Sequence, residues 1–167
     1  MAEFKLNGNL THTVSDLPKI GAQAPDFLLT KTDLSTISLK EVAGKKVILN
    51  IFPSIDTPVC SASVRRFNKE AGSLNNTIVL CVSRDLPFAH ARFCEVEGLK
   101  GVVAVSEVRD DSFGNAYGVR IKEGVLQGLF ARAVIILDET GKVIFSKLVE
   151  ELKNEPDYDE VLRVLKG

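Results

Sequence analysis

Three cysteines, Cys60, Cys81 and Cys94, are the residues of this sequence best suited to chemistry. A deprotonated thiol acts as a nucleophile, as a metal ligand or as one half of a disulfide. Their separations of 21 and 13 residues include no C-x-x-C pair, and the two histidines, His12 and His90, do not complete a recognisable zinc pattern. Because three is an odd number, at least one thiol stays unpaired within the chain. The sequence therefore predicts thiol chemistry that uses no metal and no other cofactor.

Cys60 stands where a helix is expected to begin. Thr57 is a favourable N-cap residue and Pro58 is favourable at the first helical position, so Cys60 would be the third residue of the helix. Unpaired backbone N–H groups and the positive end of the helix dipole stabilise a thiolate in this first turn. We expect the Thr57 hydroxyl to bond the N–H of residue 60 or to orient the sulfur. The local pattern also fits an ordinary buried cysteine that acts as a small apolar side chain.

A buried strand is predicted directly before this helix. The segment 46–52 (KVILNIF) is β-branched and almost continuously apolar, and 77–83 (TIVLCVS) has the same character. Between them, apolar residues recur at helical spacing: Val64, Phe67, Ala71 and Leu74. A strand, a helix and a strand in this order predict two parallel strands joined by a right-handed crossover. The reactive helix would then begin at the carboxyl edge of the sheet, where ligands bind in open α/β folds.

The rest of the chain supplies further strands and helices. Residues 4–14 alternate around Asn7-Gly8 and predict an N-terminal hairpin. Strands are predicted at 27–30, 36–38, 102–105, 132–138 and 142–148, and helices at 87–96, closed by Gly98, and at 157–165. Together these elements predict one α/β domain over 1–167, with a central mixed sheet flanked by helices in a thioredoxin-like arrangement.

The other two cysteines differ in their surroundings. Cys81 lies inside the strand 77–83, and we expect it to be inert in the core. Cys94 lies in the helix 87–96, where it either packs like Phe93 or acts as a second redox thiol. A disulfide needs Cα atoms within about 7 Å of each other. A bond between Cys60 and Cys94 would therefore require local unwinding.

Arg132 is the cationic residue of most interest, because it opens an apolar strand, where a charged side chain is uncommon unless paired. It either reaches solvent or directs its guanidinium at an anion. Arg65 and Arg66 compete for that role, but we expect them to form a solvated helix face, with one turned inward as the alternative. We expect His90 on a helix surface and His12 in the hairpin, with neither beside the cysteine at the helix start.

Composition excludes several classes of protein. The chain has 167 residues, 45% of them hydrophobic, with 21 basic and 22 acidic side chains and a net charge of −1. A domain of this size can bury a sizeable core without disulfide staples. The balance of charge gives no basic surface for nucleic acid. No secretory signal is visible, and the apolar runs are much shorter than the ~20 residues of a membrane-spanning helix. We expect a cytoplasmic protein that contacts neither nucleic acid nor membrane.

The segment Pro53-x-x-x-Thr57-x-x-Cys60 closely resembles the signature of the peroxiredoxins. The longer stretch 50–60 is similar to their bacterial thiol peroxidase subfamily, of the atypical two-cysteine type. Four further segments resemble the same subfamily: Asp85-Leu-Pro-Phe-Ala89, Arg92-Phe-Cys94, Gly128-Leu-Phe-Ala-Arg-Ala133 and Glu155-Pro-Asp-Tyr158. The similarity runs almost from end to end, including the opening hairpin.

This resemblance implies a thioredoxin-like fold and a reaction. Cys60 would be the peroxidatic cysteine, oxidised by hydrogen peroxide or an organic hydroperoxide to a sulfenic acid, and Cys94 would resolve it as an intrachain disulfide. Thr57 and Arg132 would hold the thiolate and the peroxide oxygens, and Pro53 would shape the pocket and shield the sulfur. Thioredoxin would be the electron donor, and the protein would be a homodimer.

Two other functions fit the same residues. A peroxide sensor or redox relay would keep the thiol chemistry but pass the disulfide to a partner protein. A cysteine hydrolase would pair Cys60 with His90 or His12, because such a nucleophile needs an adjacent base.

Overall fold

The computed structural model describes residues 1–166 and begins with the predicted hairpin. Strands β1 (Glu3–Leu6) and β2 (Asn9–His12) pair antiparallel. The turn residues Asn7 and Gly8 have φ angles of 53° and 79°, which are the positive values that a two-residue type I′ turn requires. The hairpin is attached to the rest of the chain near residues 150–152, because Lys5 N–H donates to the Glu150 carbonyl at 2.7 Å.

The central sheet of the described residues has seven strands. They are β3 (Leu28–Lys31), β4 (Thr36–Ser38), β5 (Lys46–Ile51), β6 (Thr77–Ser83), β7 (Val103–Ser106), β8 (Ala133–Leu137) and β9 (Val143–Leu148). Their order is β4-β3-β7-β6-β5-β8-β9. The strands β5, β6 and β7 are mutually parallel, and the others run antiparallel to their neighbours. The predicted mixed sheet is confirmed.

Helices cover both faces of this sheet. They are α1 (Pro58–Ala71), α2 (Pro87–Glu97), α3 (Ser112–Ala116) and α4 (Tyr158–Lys166). Alternate residues of β5 serve two cores: Leu49 and Ile51 pack with Phe113 on one face, whereas Ile48 packs with Val64 of α1 on the other. Among residues 1–166, no helix is long and apolar enough to span a membrane.

The predicted elements are present with small shifts at their ends. The strands 36–38 and 77–83 have the predicted bounds, and α2 ends at Gly98, whose φ of 67° fits the left-handed helix end expected there. The structure adds α3 and a 3₁₀ turn at Lys40–Val42. Both are too short to show a helical repeat of apolar residues, so the pattern did not reveal them.

Candidate active site

Cys60 is the third residue of α1, as predicted, and its side chain is completely buried. Thr57 is the N-cap with an extended backbone, and Pro58 is the first helical residue. The first helical hydrogen bond runs from Ser61 N–H to the Thr57 carbonyl at 3.0 Å, so the Cys60 N–H lies in the turn that precedes the regular bonding. The thiol therefore lies at the positive end of the helix dipole.

Arg132 lies directly against the sulfur. Its Nη2 group donates to Cys60 Sγ at 3.2 Å, and its Nε group donates to the Leu152 carbonyl at 2.9 Å. Only 3% of Arg132 is exposed, so the guanidinium is held in the protein interior one residue before β8. Of the two interpretations that the sequence allowed, a guanidinium directed at the site fits this placement and a reach to solvent does not.

One donor of the same guanidinium has no internal acceptor. Arg132 Nη1 is buried and makes no hydrogen bond to any residue from 1 to 166. Burying an unpaired donor costs about 1–3 kcal/mol, so such groups are rare and are often found at functional sites. The site can therefore offer one N–H to the sulfur and another to an oxygen beside it.

Thr57 does not make the contact that the sequence predicted for its hydroxyl. No side-chain cap bond is formed, and Thr57 Oγ1 instead donates to the Ser54 carbonyl at 2.9 Å. The reason is the turn before the helix, in which Thr57 N–H also bonds the Ser54 carbonyl, at 3.2 Å. That turn brings the Ser54 carbonyl under the Thr57 side chain. Pro53, two residues after the end of β5, is buried.

A second polar cluster, which the sequence analysis did not identify, lies behind this loop. Asp85 accepts hydrogen bonds from Ser54 Oγ and from the Ile55 N–H, both at 2.7 Å, and also from Ser83 Oγ. Ser83 Oγ in turn bonds His90 Nε2 at 2.9 Å. Asp85 and Ser54 each follow the carboxyl end of a parallel strand, β6 and β5, and this shared position was the available signal.

The expected surface position of His90 is wrong. Its side chain is 1% exposed, packed edge-to-face against Phe52 and bonded to Ser83. Burial lowers the pKa of His90, against the opposing effect of Asp85 and Asp56. The helix pattern misled because Nε2 of the ring bonds Ser83 in the interior, whereas Nδ1 is buried without a hydrogen-bond partner among residues 1–166. Neither His90 nor His12, which pairs with Glu123, hydrogen-bonds Cys60 within the described chain, so the base that a cysteine hydrolase needs is not in place.

Cys81 lies in the core, as expected for a structural cysteine. It is completely buried in β6, and that burial raises the pKa of the Cys81 thiol to about 12. The Nδ2 group of Asn50 lies 3.8 Å from the Cys81 sulfur. The same Asn50 group donates to Ser63 Oγ, which donates to the Cys60 carbonyl at 2.7 Å. Asn50 therefore ties the start of α1 to the sheet.

Cys94 lies on a different helix from Cys60, and all three cysteines are free thiols. It is half-buried in α2, and burial raises the pKa of the Cys94 thiol. Cys94 lines a groove with Val103 and Ala104 of β7, whereas the Cys60 sulfur contacts the residue before β8. In the sheet order, β6 and β5 lie between these two strands, and each cysteine lies within a regular helix. A disulfide between the two cysteines would require part of the chain to unfold locally.

The remaining candidates lie elsewhere. Arg65 pairs with Glu97 of α2 through two hydrogen bonds, and Arg66 pairs with Glu70, so both form the solvated helix face that the sequence allowed. Within residues 1–166, no group of three or more histidine, cysteine or acidic side chains is arranged to hold a metal ion.

Comparison with known proteins gives consistent matches along the chain. The redoxin family model matches residues 19–162. The thiol peroxidase of Corynebacterium glutamicum is 48% identical over 165 residues, and that of Mycobacterium tuberculosis is 49% identical, each match covering 99% of both chains. The chain belongs to the redoxin family, in its thiol peroxidase group. A crystal structure of a peroxiredoxin-like protein from Aquifex aeolicus has the same redoxin fold, with a TM-score of 0.93 and 37% identity over 98% of this chain and 95% of that one.

The family membership agrees with the residues that the structure brings together. The peroxiredoxin resemblance stated from the signature 53–60 is confirmed, and the chain is a peroxidase. The fold is the thioredoxin-like one that the resemblance implied, with its N-terminal hairpin and mixed sheet.

Proposed function

We propose that this peroxidase reduces hydrogen peroxide and organic hydroperoxides to water and alcohols through the Cys60 thiolate. The observation that carries the proposal is the 3.2 Å contact between Arg132 Nη2 and the buried Cys60 sulfur. A fixed cation beside a sulfur at a helix N-terminus favours the charged nucleophile. It also favours the transition state, because negative charge moves from sulfur to the leaving oxygen.

The first step forms one bond and breaks another. The Cys60 sulfur attacks the nearer peroxide oxygen, the O–O bond breaks, and the other oxygen leaves with the bonding pair as hydroxide or alkoxide. That oxygen takes up a proton to become water or an alcohol, and Cys60 becomes a sulfenic acid. Arg132 Nη1, whose donor is not used within the described chain, would bond the peroxide. Thr57 Oγ1, which gives its own proton to Ser54, would accept the peroxide hydrogen, and buried Pro53 would limit access of water.

Cys94 is proposed to complete the cycle. The Cys94 thiol loses its proton and the resulting thiolate attacks the sulfenic sulfur of Cys60, so that the S–O bond breaks and an intrachain disulfide forms. The departing hydroxide takes up a proton and leaves as water. The first turn of α1 has to unwind for this attack, because Cys60 is buried in α1 and Cys94 lies on a different helix, with no bond between them in the folded structure. The dithiol of thioredoxin would then reduce the disulfide by exchange.

The setting of this reaction completes the proposal. The chain would act as a single domain in the cytoplasm, where thioredoxin keeps most thiols reduced. The expected homodimer stays a proposal, to be checked by measuring the mass of the reduced protein in solution. The similarity of the whole chain to thiol peroxidases supports the peroxidase reaction on which this setting depends.

A coupled assay tests the function. Reduced protein is mixed with hydroperoxide, thioredoxin, its reductase and the reductant of that enzyme, and consumption of the reductant is followed. Cys60→Ser is expected to abolish peroxide consumption, whereas Cys94→Ser is expected to consume one equivalent and then stop. Unchanged steady turnover by Cys94→Ser would contradict its role as the resolving cysteine, and activity in Cys60→Ser would contradict the whole mechanism.

A further inference from the structure

We propose that Asp85 is a positioning residue that holds the loop before Cys60 in its folded form and thereby sets how fast oxidised Cys60 reaches Cys94. The inference rests on the proposed function, because it concerns the step in which the Cys60–Cys94 disulfide forms. Asp85 contacts neither sulfur and acts through the residues that it holds.

Both carboxylate oxygens of Asp85 accept hydrogen bonds from the loop that leads into α1. Ser54 Oγ donates to Oδ1 and the Ile55 N–H donates to Oδ2, each at 2.7 Å. Ser54 Oγ also accepts the Asp56 N–H at 3.2 Å. Ile55 is only 2% exposed, so its backbone bond is shielded from competing water. One carboxylate therefore fixes three successive loop residues just before the reactive helix.

The other side of Asp85 is anchored to the segment that carries Cys94. Ser83 Oγ gives its single proton to Asp85, and it accepts the Asp85 N–H at 3.1 Å. Since that proton is used, His90 Nε2 must be the donor in its 2.9 Å bond to Ser83 Oγ. Ser83 ends β6 and His90 lies in the first half of α2, and both are buried. The loop before Cys60 is thus tied to the base of the Cys94 helix.

This tie must break during catalysis. For Cys60 to reach Cys94, the loop 54–57 has to leave its place, and the bonds from Ser54 and Ile55 to Asp85 are lost. Hydrogen bonds to an ionised acceptor are roughly twice as strong as neutral ones, so Asp85 favours the folded loop. In the folded loop a second hydroperoxide can transfer an oxygen to the Cys60 sulfenic acid, which yields a sulfinic acid and water or an alcohol. Asp85 therefore sets the ratio between disulfide formation and over-oxidation.

Asp85→Asn tests this role, because an amide keeps the shape but offers one acceptor oxygen and no charge. Each step is followed by stopped-flow mixing and rapid-quench mass spectrometry of the reduced protein with excess hydroperoxide. We expect formation of the Cys60 sulfenic acid to stay within about threefold of wild type, since most molecules keep the folded loop. Disulfide formation should be about tenfold faster, and half-conversion to sulfinic acid should need about tenfold more peroxide.

Two further variants separate this role from simple destabilisation. Asp138→Asn is the matched control, because Asp138 Oδ1 accepts bonds from Thr140 and Lys142 in the β8–β9 turn, away from the thiols. It should leave the ratio of disulfide to sulfinic acid unchanged even where it lowers the melting temperature. Ser54→Ala removes the bond from Ser54 Oγ to Asp85 together with the Asp56 N–H bond to the same oxygen, and it should shift that ratio in the same direction as Asp85→Asn, by about threefold. It carries the test if Asp85→Asn does not fold.

The outcomes distinguish the inference from the function on which it rests. If wild-type protein forms no Cys60–Cys94 disulfide, both are overturned. If wild type forms the disulfide and the ratio of disulfide to sulfinic acid is unchanged in Asp85→Asn and in Ser54→Ala, only the role of Asp85 is overturned. The same holds if Asp138→Asn shifts that ratio as much as Asp85→Asn does.

Discussion

Replacing Arg132 by lysine is expected to slow the reaction of reduced Cys60 with hydroperoxide by about ten- to a hundredfold. The guanidinium reaches the Cys60 sulfur through Nη2 while Nε holds the Leu152 carbonyl, and a single ammonium cannot span both. A hydrogen bond to a charged group contributes about 1.5–3 kcal/mol. At about 1.4 kcal/mol for each factor of ten, the loss of that bond gives the stated range. The charge itself is retained, so the experiment measures the geometry of the contact.

The assay is stopped-flow mixing of each reduced protein with a hydroperoxide series under pseudo-first-order conditions. Arg163→Lys is the control, because Arg163 lies on the exposed face of α4 and undergoes the same chemical change. Circular dichroism and the melting temperature show whether the loss of the bond to Leu152 has unfolded the variant. A folded Arg132→Lys protein that reacts within twofold of wild type would refute the reasoning from this contact.

Three further outcomes follow from the buried groups. Cys81→Ala should keep peroxidase turnover within about twofold of wild type. Denaturant titration should show the free energy of unfolding lowered by about 1 kcal/mol. Lost turnover would contradict the interpretation of Cys81 as an inert core thiol. In the folded protein, Cys81 should also resist alkylation far longer than Cys94, since burial raises the pKa of Cys81 to about 12, and equal labelling would argue against it. Burial lowers the pKa of His90, so below about pH 6.5 the unfolded chain binds a proton that the folded chain does not. The contribution of His90 to the free energy of unfolding should therefore fall as the pH is lowered below about 6.5 and stay constant above it. His90→Gln should remove this pH-dependent contribution. An identical pH profile for His90→Gln would contradict the lowered pKa of His90.

Much of the fold followed from local patterns in the sequence. Each of three local patterns fits one kind of structure: the alternation around Asn7-Gly8 and the apolar runs at 46–52 and 77–83. The helix start at Pro58 depends only on neighbouring residues. The position of Cys60 at that start was predictable for the same reason. The short α3 carries too few residues for a period, and so it was missed.

The contacts of the site depended on tertiary structure and were less predictable. Arg132 is 72 residues from Cys60 in sequence, and nothing local indicates that β5 and β8 are neighbours. The sequence predicted that the Thr57 hydroxyl would contact the N–H of residue 60 or the Cys60 sulfur. The turn at Ser54 instead provides its acceptor, the Ser54 carbonyl. His90 carries a polar ring on a helix, a pattern that usually faces solvent, and only the cluster formed with Ser83 explains its burial.

The central claim is that Cys60 is the thiol that reacts with the peroxide. Its most direct test is peptide mapping of reduced protein after addition of one equivalent of hydroperoxide. In Cys94→Ser, the mechanism predicts one added oxygen on the peptide that contains Cys60, and unmodified Cys81. In wild type, it predicts a single disulfide-linked pair of peptides that contain Cys60 and Cys94. First oxidation at Cys81 or Cys94, with Cys60 still reduced, would contradict it.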